Sequence, residues 1–171
     1  MVAFMRICAF VALSLAMLVL SPGCSRKKEV RIVSMGEKAE IGPFIYQAIE
    51  TRWPMSVEGR TPKDRLFIIR VSILNKGAGE MTIPGFEVLD DAGNSFPEVV
   101  DGTGVDQWLG VSRKLQPANT DQGNIIFDVS PKHYRLRVAD ENDNFMYIDI
   151  PLNLTTEEPD SKKIEGVAPV K

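Results

Sequence analysis

The sequence predicts an all-β domain, a two-sheet antiparallel sandwich, placed after an N-terminal signal segment. Three observations carry this. Short runs of β-branched and aromatic residues recur roughly every ten residues between Arg31 and Leu152. Clusters of Gly, Pro, Asn and Asp separate these runs and supply turns. No stretch sustains a helical apolar period, and Val105–Leu109 could supply one short turn of helix at most.

Phe44 to Ile49 is the first apolar, β-rich run. Arg65 to Leu74 is the strongest strand. Phe67, Ile69, Val71 and Ile73 fall on one face, while Leu66, Ile68 and Leu74 make the other face apolar too. That pattern predicts a central strand, buried on one face and partly covered on the second. Asn75-Lys76-Gly77 turns the chain, with Gly77 expected to take positive φ. Met81-Thr82-Ile83 is short, and Pro84 marks an edge or a bend. Phe86 to Asp90 alternates, and Asp91-Ala92-Gly93-Asn94 turns the chain before Phe96. Gly123 to Val129 and Tyr134 to Val138 are further strands, the latter apolar inside and basic outside. Asp140 to Asn144 is a turn, and Phe145 to Ile150 closes the sheet. Pro84, Pro97 and nearby lysines are expected to guard sheet edges, unless an edge accepts a partner strand.

This order of features resembles a known family. Gly36-Glu37 leads to Ile41-Gly42 and a strand, and the long strand ends Ile73-Leu74-Asn75-Lys76-Gly77. Phe86-Glu87-Val88-Leu89-Asp90-Asp91-Ala92-Gly93-Asn94 follows. Leu115-Gln116-Pro117 then leads into Gly123-Asn124-Ile125-Ile126-Phe127-Asp128-Val129, and Tyr134-Arg135-Leu136 comes last. The run from about Gly36 to Ile150 is similar to the small extracytoplasmic domain of unknown function, immunoglobulin-like in fold, common in bacterial lipoproteins. That family often has Gly after the proline, where this chain has Ala118. The resemblance implies an immunoglobulin-like sandwich outside the cytoplasm. It implies neither an enzyme nor a shared ligand.

The N-terminus agrees with that location. Arg6 precedes Ile7 to Leu20, which is apolar apart from Ser14. The run is too short to span a bilayer, which needs about 20 residues. Ser21-Pro22-Gly23-Cys24 places small residues before a cysteine and resembles a lipobox, with Leu20 one place early. The reading is a signal peptide over 1–23, a lipidated tether over 24–35, a sandwich over 36–152 and a disordered tail over 153–171. Cleavage without lipidation at the same bond, and an uncleaved anchor, are the alternatives. Cys8 falls in the signal peptide, so Cys24 is the only cysteine of the mature chain and no disulfide is available. Ser25 rather than Asp after the cysteine favours the outer membrane, if one exists.

Composition narrows function mainly by exclusion. A net charge of −3 leaves no basic excess for nucleic acid. Arg26-Lys27-Lys28 beside Cys24 reads either as a contact for anionic head groups or as a solvated tether. His133 is the only histidine, which leaves little material for hydrolase triads or histidine-rich metal sites. No cofactor is expected, and the domain reads as non-catalytic. Asp140-Glu141-Asn142-Asp143-Asn144 reproduces a calcium string of cadherin linkers, making Asp140, Asn142, Asp143 and Asn144 weak metal candidates. The acidic motifs that complete such sites are missing, and the run also reads as a plain turn. Trp53 and Trp108 lie in the two longest loops, 53–64 and 97–114. They are candidate binding residues for a protein or ligand partner, or caps on the core.

Overall fold

A computed structural model describes residues 30–154, so the signal segment, Cys24 and the tail from 155 lie outside the described residues. The described residues form strands and no helix. In chain order the strands are β1 (Ile32–Ser34), β2 (Ala39–Ile41), β3 (Phe44–Arg52), β4 (Leu66–Asn75), β5 (Met81–Ile83) and β6 (Glu87–Leu89). There follow β7 (Ser95–Pro97), β8 (Arg113–Leu115), β9 (Thr120–Asp128), β10 (Tyr134–Ala139) and β11 (Phe145–Ile150). One sheet runs β1-β11-β10-β6-β7 and the other β2-β3-β4-β9, with β5 and β8 as a separate pair. This is a two-sheet sandwich, as the sequence predicts.

Burial explains the strand order. The inward residues of β4, Phe67, Ile69, Val71 and Ile73, are buried in the same core as Ile125 and Phe127 of β9 and Leu136, Val138 and Ile148 of the facing sheet. Leu66 and Ile68 on the other face of β4 are buried as well, as is Ile126 of β9. At the outer edge of β9, Val99 N–H donates to Ile126 O at 2.7 Å. One face of β4 is thus withdrawn from water and the other only at Leu66 and Ile68, with Arg70, Ser72 and Leu74 half-buried, while both of its edges are paired, by β3 and β9.

Three expectations need correction. Ile32–Ser34, assigned above to the tether, is a strand and pairs with β11 in parallel, so one pair breaks the antiparallel pattern. Only Val33 of that strand points inward, and a three-residue element carries too little alternation to be read. Val105–Leu109 forms no helix. Gly77 does not take positive φ. Its requirement is space, because a Cβ there would lie 3.0 Å from Asn75 Oδ1 and 3.1 Å from Pro43 Cβ.

Asn75 organises that end of β4. Its Nδ2 donates to Leu115 O at 2.8 Å and Gly79 O at 2.9 Å, and its Oδ1 accepts from Gly77 N at 2.8 Å. Its backbone pairs with Asn119 O and Ala118 N. The tie holds a turn in which Asn119 N donates to Gln116 O at 3.2 Å, with Pro117 and Ala118 at the two central positions. Ala118 has φ 60°, the left-handed conformation that a type II turn demands at its third residue. Glycine after the proline meets that demand without a Cβ clash.

Tyr134 locks the other sheet. Its hydroxyl donates to Ser130 O four residues upstream, at 2.8 Å, in the manner of a tyrosine corner. Burial pushes this phenol up to about 12. Arg113 and Glu98 form a buried two-pronged ion pair, with the guanidinium 5.0 Å from the Phe86 ring centre. It joins the β5–β8 pair to the chain leaving β7.

Replacing Ala118 by glycine should raise stability by about 0.5–1 kcal/mol, since relief of left-handed strain exceeds the unfolded-state entropy of glycine. Urea unfolding of A118G checks this, and a lower midpoint would contradict strain at this turn.

Candidate functional site

The two tryptophans occupy different environments. Trp53 follows β3 and is only 7% exposed. It stacks on Phe67 at 4.1 Å and 10°, with Tyr134 at 6.4 Å. This ring caps the core and presents no surface to a partner. Trp108 is half-buried in the loop after β7, and its Nε1 is turned away from solvent. Its ring covers Gly102, where a Cβ would overlap the indole. The surrounding loop bonds to the outer edge of β9. Asn124 N donates to Gln107 O at 2.8 Å, and Leu109 N donates to Asn124 O at 3.1 Å. Gly123 makes room for that approach. The loop therefore shields an otherwise open strand. No ring contact joins the two tryptophans among the described residues.

What the two loops do share is a shallow depression of about 340 Å³, lined by Gly59, Arg60, Leu66, Val99, Asp101 and Asp128. The Arg60 guanidinium, largely buried, pairs with the Asp101 carboxylate at 3.0 Å and also donates to its carbonyl oxygen. Asp128 accepts from Lys63 N at 2.7 Å and Asp64 N at 2.9 Å, which fixes the end of the first loop on β9. Met55 and Val100 stand exposed on these loops. The end is thus polar, preformed and rimmed by two apolar side chains.

The Asp140–Asn144 run forms the turn between β10 and β11. Asp140 Oδ1 accepts from Asn142 N at 2.9 Å and Asn144 N at 3.0 Å, and Asn144 Nδ2 donates to Oδ2 at 3.0 Å. Asp143 pairs with Arg137. The turn between β6 and β7 is built the same way. Asp90 Oδ1 accepts from Ala92 N and Asn94 N, and Asn94 Nδ2 donates to Oδ2 at 3.0 Å. Those bonds from Asn94, with Lys132 alongside, hold the Asp90 carboxyl down to about 2. Gly93 has φ 85° and Asp143, at the matching position, φ 58°. The carboxylates serve as turn braces, and no group of metal-binding side chains forms among the described residues.

His133 has partners that the sequence does not reveal. Its Nδ1 lies 2.8 Å from Asp91 Oδ1 and its Nε2 2.9 Å from Asp149 Oδ1. Each ring nitrogen faces a carboxylate oxygen, so the protonated ring can donate on both sides. Asp91 chiefly, then Asp149, raises its pKa above the usual histidine value, against partial burial. With both nitrogens engaged on opposite sides, the ring straps the turn after β6 to β11. Only the paired Asp-x-x-x-Asn strings leave a signal in the sequence; the His133–Asp91 and Arg60–Asp101 contacts join residues 42 and 41 apart, and His133–Asp149 joins residues 16 apart.

Solved bacterial proteins share this architecture. A secreted protein of Mycobacterium tuberculosis, MPT63, aligns at 12% identity over 72% of this chain and 99% of its own, with a TM-score of 0.56. The yjhA protein of Bacillus subtilis aligns at 19% identity over 69% of this chain and 98% of its own, with a TM-score of 0.53. A candidate lipoprotein of Bacillus subtilis, ycdA, aligns at 11% identity over 67% of this chain and 38% of its own, also at 0.53. At these identities the likeness is one of fold alone. No protein-family model and no curated protein matches the chain.

Replacing Asp143 by glycine should leave stability level or raise it by up to about 1 kcal/mol, because the exposed Arg137 pair contributes little and the left-handed strain goes. Millimolar calcium should shift neither midpoint in urea unfolding. A calcium-stabilised wild type that D143G abolishes would make the turn a metal site. The stability that His133 contributes should be fully present below its unfolded value near 6.5 and be lost as pH rises through its elevated folded value. Melting curves of wild type and H133Q between pH 5 and 9 should converge at the alkaline end, and a constant gap would refute the strap.

Proposed function

We propose that this chain is a non-catalytic module of the bacterial cell envelope, held on a membrane by lipid at Cys24. It offers the loop end around Arg60, Met55 and Val100 to a protein or ligand partner. The observation that carries this reading is the apolar run Ile7–Leu20 closed by Ser21-Pro22-Gly23-Cys24, ahead of a domain with no other cysteine. Each buried acyl methylene contributes about 0.8 kcal/mol, so more than one chain on Cys24 gives lasting attachment. Two structural neighbours, a secreted protein and a candidate lipoprotein, accord with a site outside the cytoplasm. The engaged nitrogens of His133 leave it a poor general base, which favours recognition over catalysis. Ser25 after the cysteine favours the outer membrane where one exists.

Secretion without lipid is the second reading, favoured by the early Leu20 and by Pro22 within the motif. The calcium-carrier reading is weaker, because the Asp140 oxygens already accept three N–H groups within the turn.

Cell fractionation separates the first two readings. Wild type should sediment with membranes, and C24A should either accumulate as precursor or move to the soluble envelope fraction. Equal release of both into the soluble fraction would point to plain secretion.

A further inference from the structure

The corner where the chain enters the described domain is apolar. Ile32 of β1 lies opposite Tyr147 of β11, and Tyr147 N donates to Arg31 O at 3.1 Å. Continuing that register sets Val30 beside Phe145. Val33, Met146 and Ile148 point into the core, so Ile32, Phe145 and Tyr147 face outward together. Val30 is 40% and Ile32 49% exposed. The Phe145 and Tyr147 rings, both partly exposed, meet edge to face at 5.6 Å. Arg137 covers one side of Phe145 at 4.5 Å.

The chain just outside the described residues bears on what this corner meets. Five residues, Ser25 to Glu29, separate Cys24 from Val30. Fully extended, that link reaches about 20 Å. Arg26, Lys27, Lys28 and Arg31 cluster there against the single acid Glu29. Arg137 is already paired with Glu87 at 3.3 Å and with Asp143, and the 140–144 turn is acidic, so the basic groups open to a headgroup are those of the link.

We propose that Val30, Ile32, Phe145 and Tyr147 form a docking surface for an anionic lipid headgroup layer. The basic link engages lipid phosphates, at about 1 kcal/mol per residue near the surface. Tyr147 sits at the headgroup level, where amphipathic rings are favoured, with Phe145 as its apolar neighbour. Such contacts are weak in free solution and gain from the high effective concentration that a short tether imposes. The inference rests on the anchored reading only in that Cys24 brings the bilayer within reach.

Docking here would orient the domain. The 140–144 turn lies at this end, and so does the β2–β3 turn, where a Cβ on Gly42 would come within 2.5 Å of Asp140 Oδ2. β3 runs from that turn to Arg52, so the loop bearing Met55 lies at the opposite end.

The chain from Cys24 onward, coupled through that thiol to a maleimide lipid in phosphatidylglycerol vesicles, tests the surface whether or not native Cys24 is acylated. Hydroxyl-radical footprinting should show a several-fold fall in oxidation of Phe145 and Tyr147 on coupling, with Met55 unchanged. I32E should restore their solution rates while remaining coupled. Oxidation of Phe145 and Tyr147 at the free-protein rate, or equal protection of Met55, would overturn the proposal. The mass of the native N-terminal peptide reads the anchor separately, and a free thiol there would defeat the anchored reading without touching the vesicle result.

Discussion

Burial of β4, full on its core face and partial on the reverse, is the constraint on which the rest of the domain depends. The described residues contain no cysteine, so no covalent bridge closes the two sheets. Cohesion must come from apolar area, at about 1.5–3 kcal/mol for each large side chain fully withdrawn from water. Phe67, Ile69, Val71 and Ile73 supply that area toward the facing sheet. Leu66 and Ile68 add buried area on the reverse. The placement of the loop after β7, and with it of Trp108, follows from its backbone bonds to the outer edge of β9. A loop bound in that way cannot also swing freely to meet a partner.

The polar groups inside the sandwich set its ends. Asn75 uses both amide hydrogens and its carbonyl oxygen, and so holds the Gln116–Asn119 turn against β4. Arg113 and Glu98 are buried together, and removing either alone would strand a charge, the costly case for an interior pair. Glu98 Oε1 also accepts from Phe86 N, so the pair fixes backbone as well as side chains. These contacts give the β5–β8 ribbon one position, which apolar burial, being non-directional, would leave free.

The sandwich has two unlike ends. One gathers the entry of the chain, the β2–β3 turn and the turn at Asp140. The other gathers the loops that meet at Arg60 and Asp101. A rigid β-layer separates them along the length of β3. The entry of the chain thus lies at one end and the preformed loops at the other. The histidine strap at Asp91 and Asp149 belongs to the scaffold between the turn after β6 and β11, and it stiffens that scaffold most in its charged form.

The linear chain alone settled the fold class and the place of β4, because each rests on a local pattern of apolar residues and turns. It also carried the five-residue turns, since Asp and Asn brace their own backbone within reach of one another. Three-residue strands such as β1 and β8 were beyond it, for such elements hold too little alternation and owe their pairing to neighbours far along the chain. The roles of Trp53 and Trp108 were decided only by tertiary packing. An indole is equally suited to a core and to a contact surface, and only the ring of Phe67 or the backbone at Gly102 determines which it meets. The partners of His133, Arg60 and Arg113 were likewise invisible, because charge complementarity acts through space and leaves no spacing in the sequence to read.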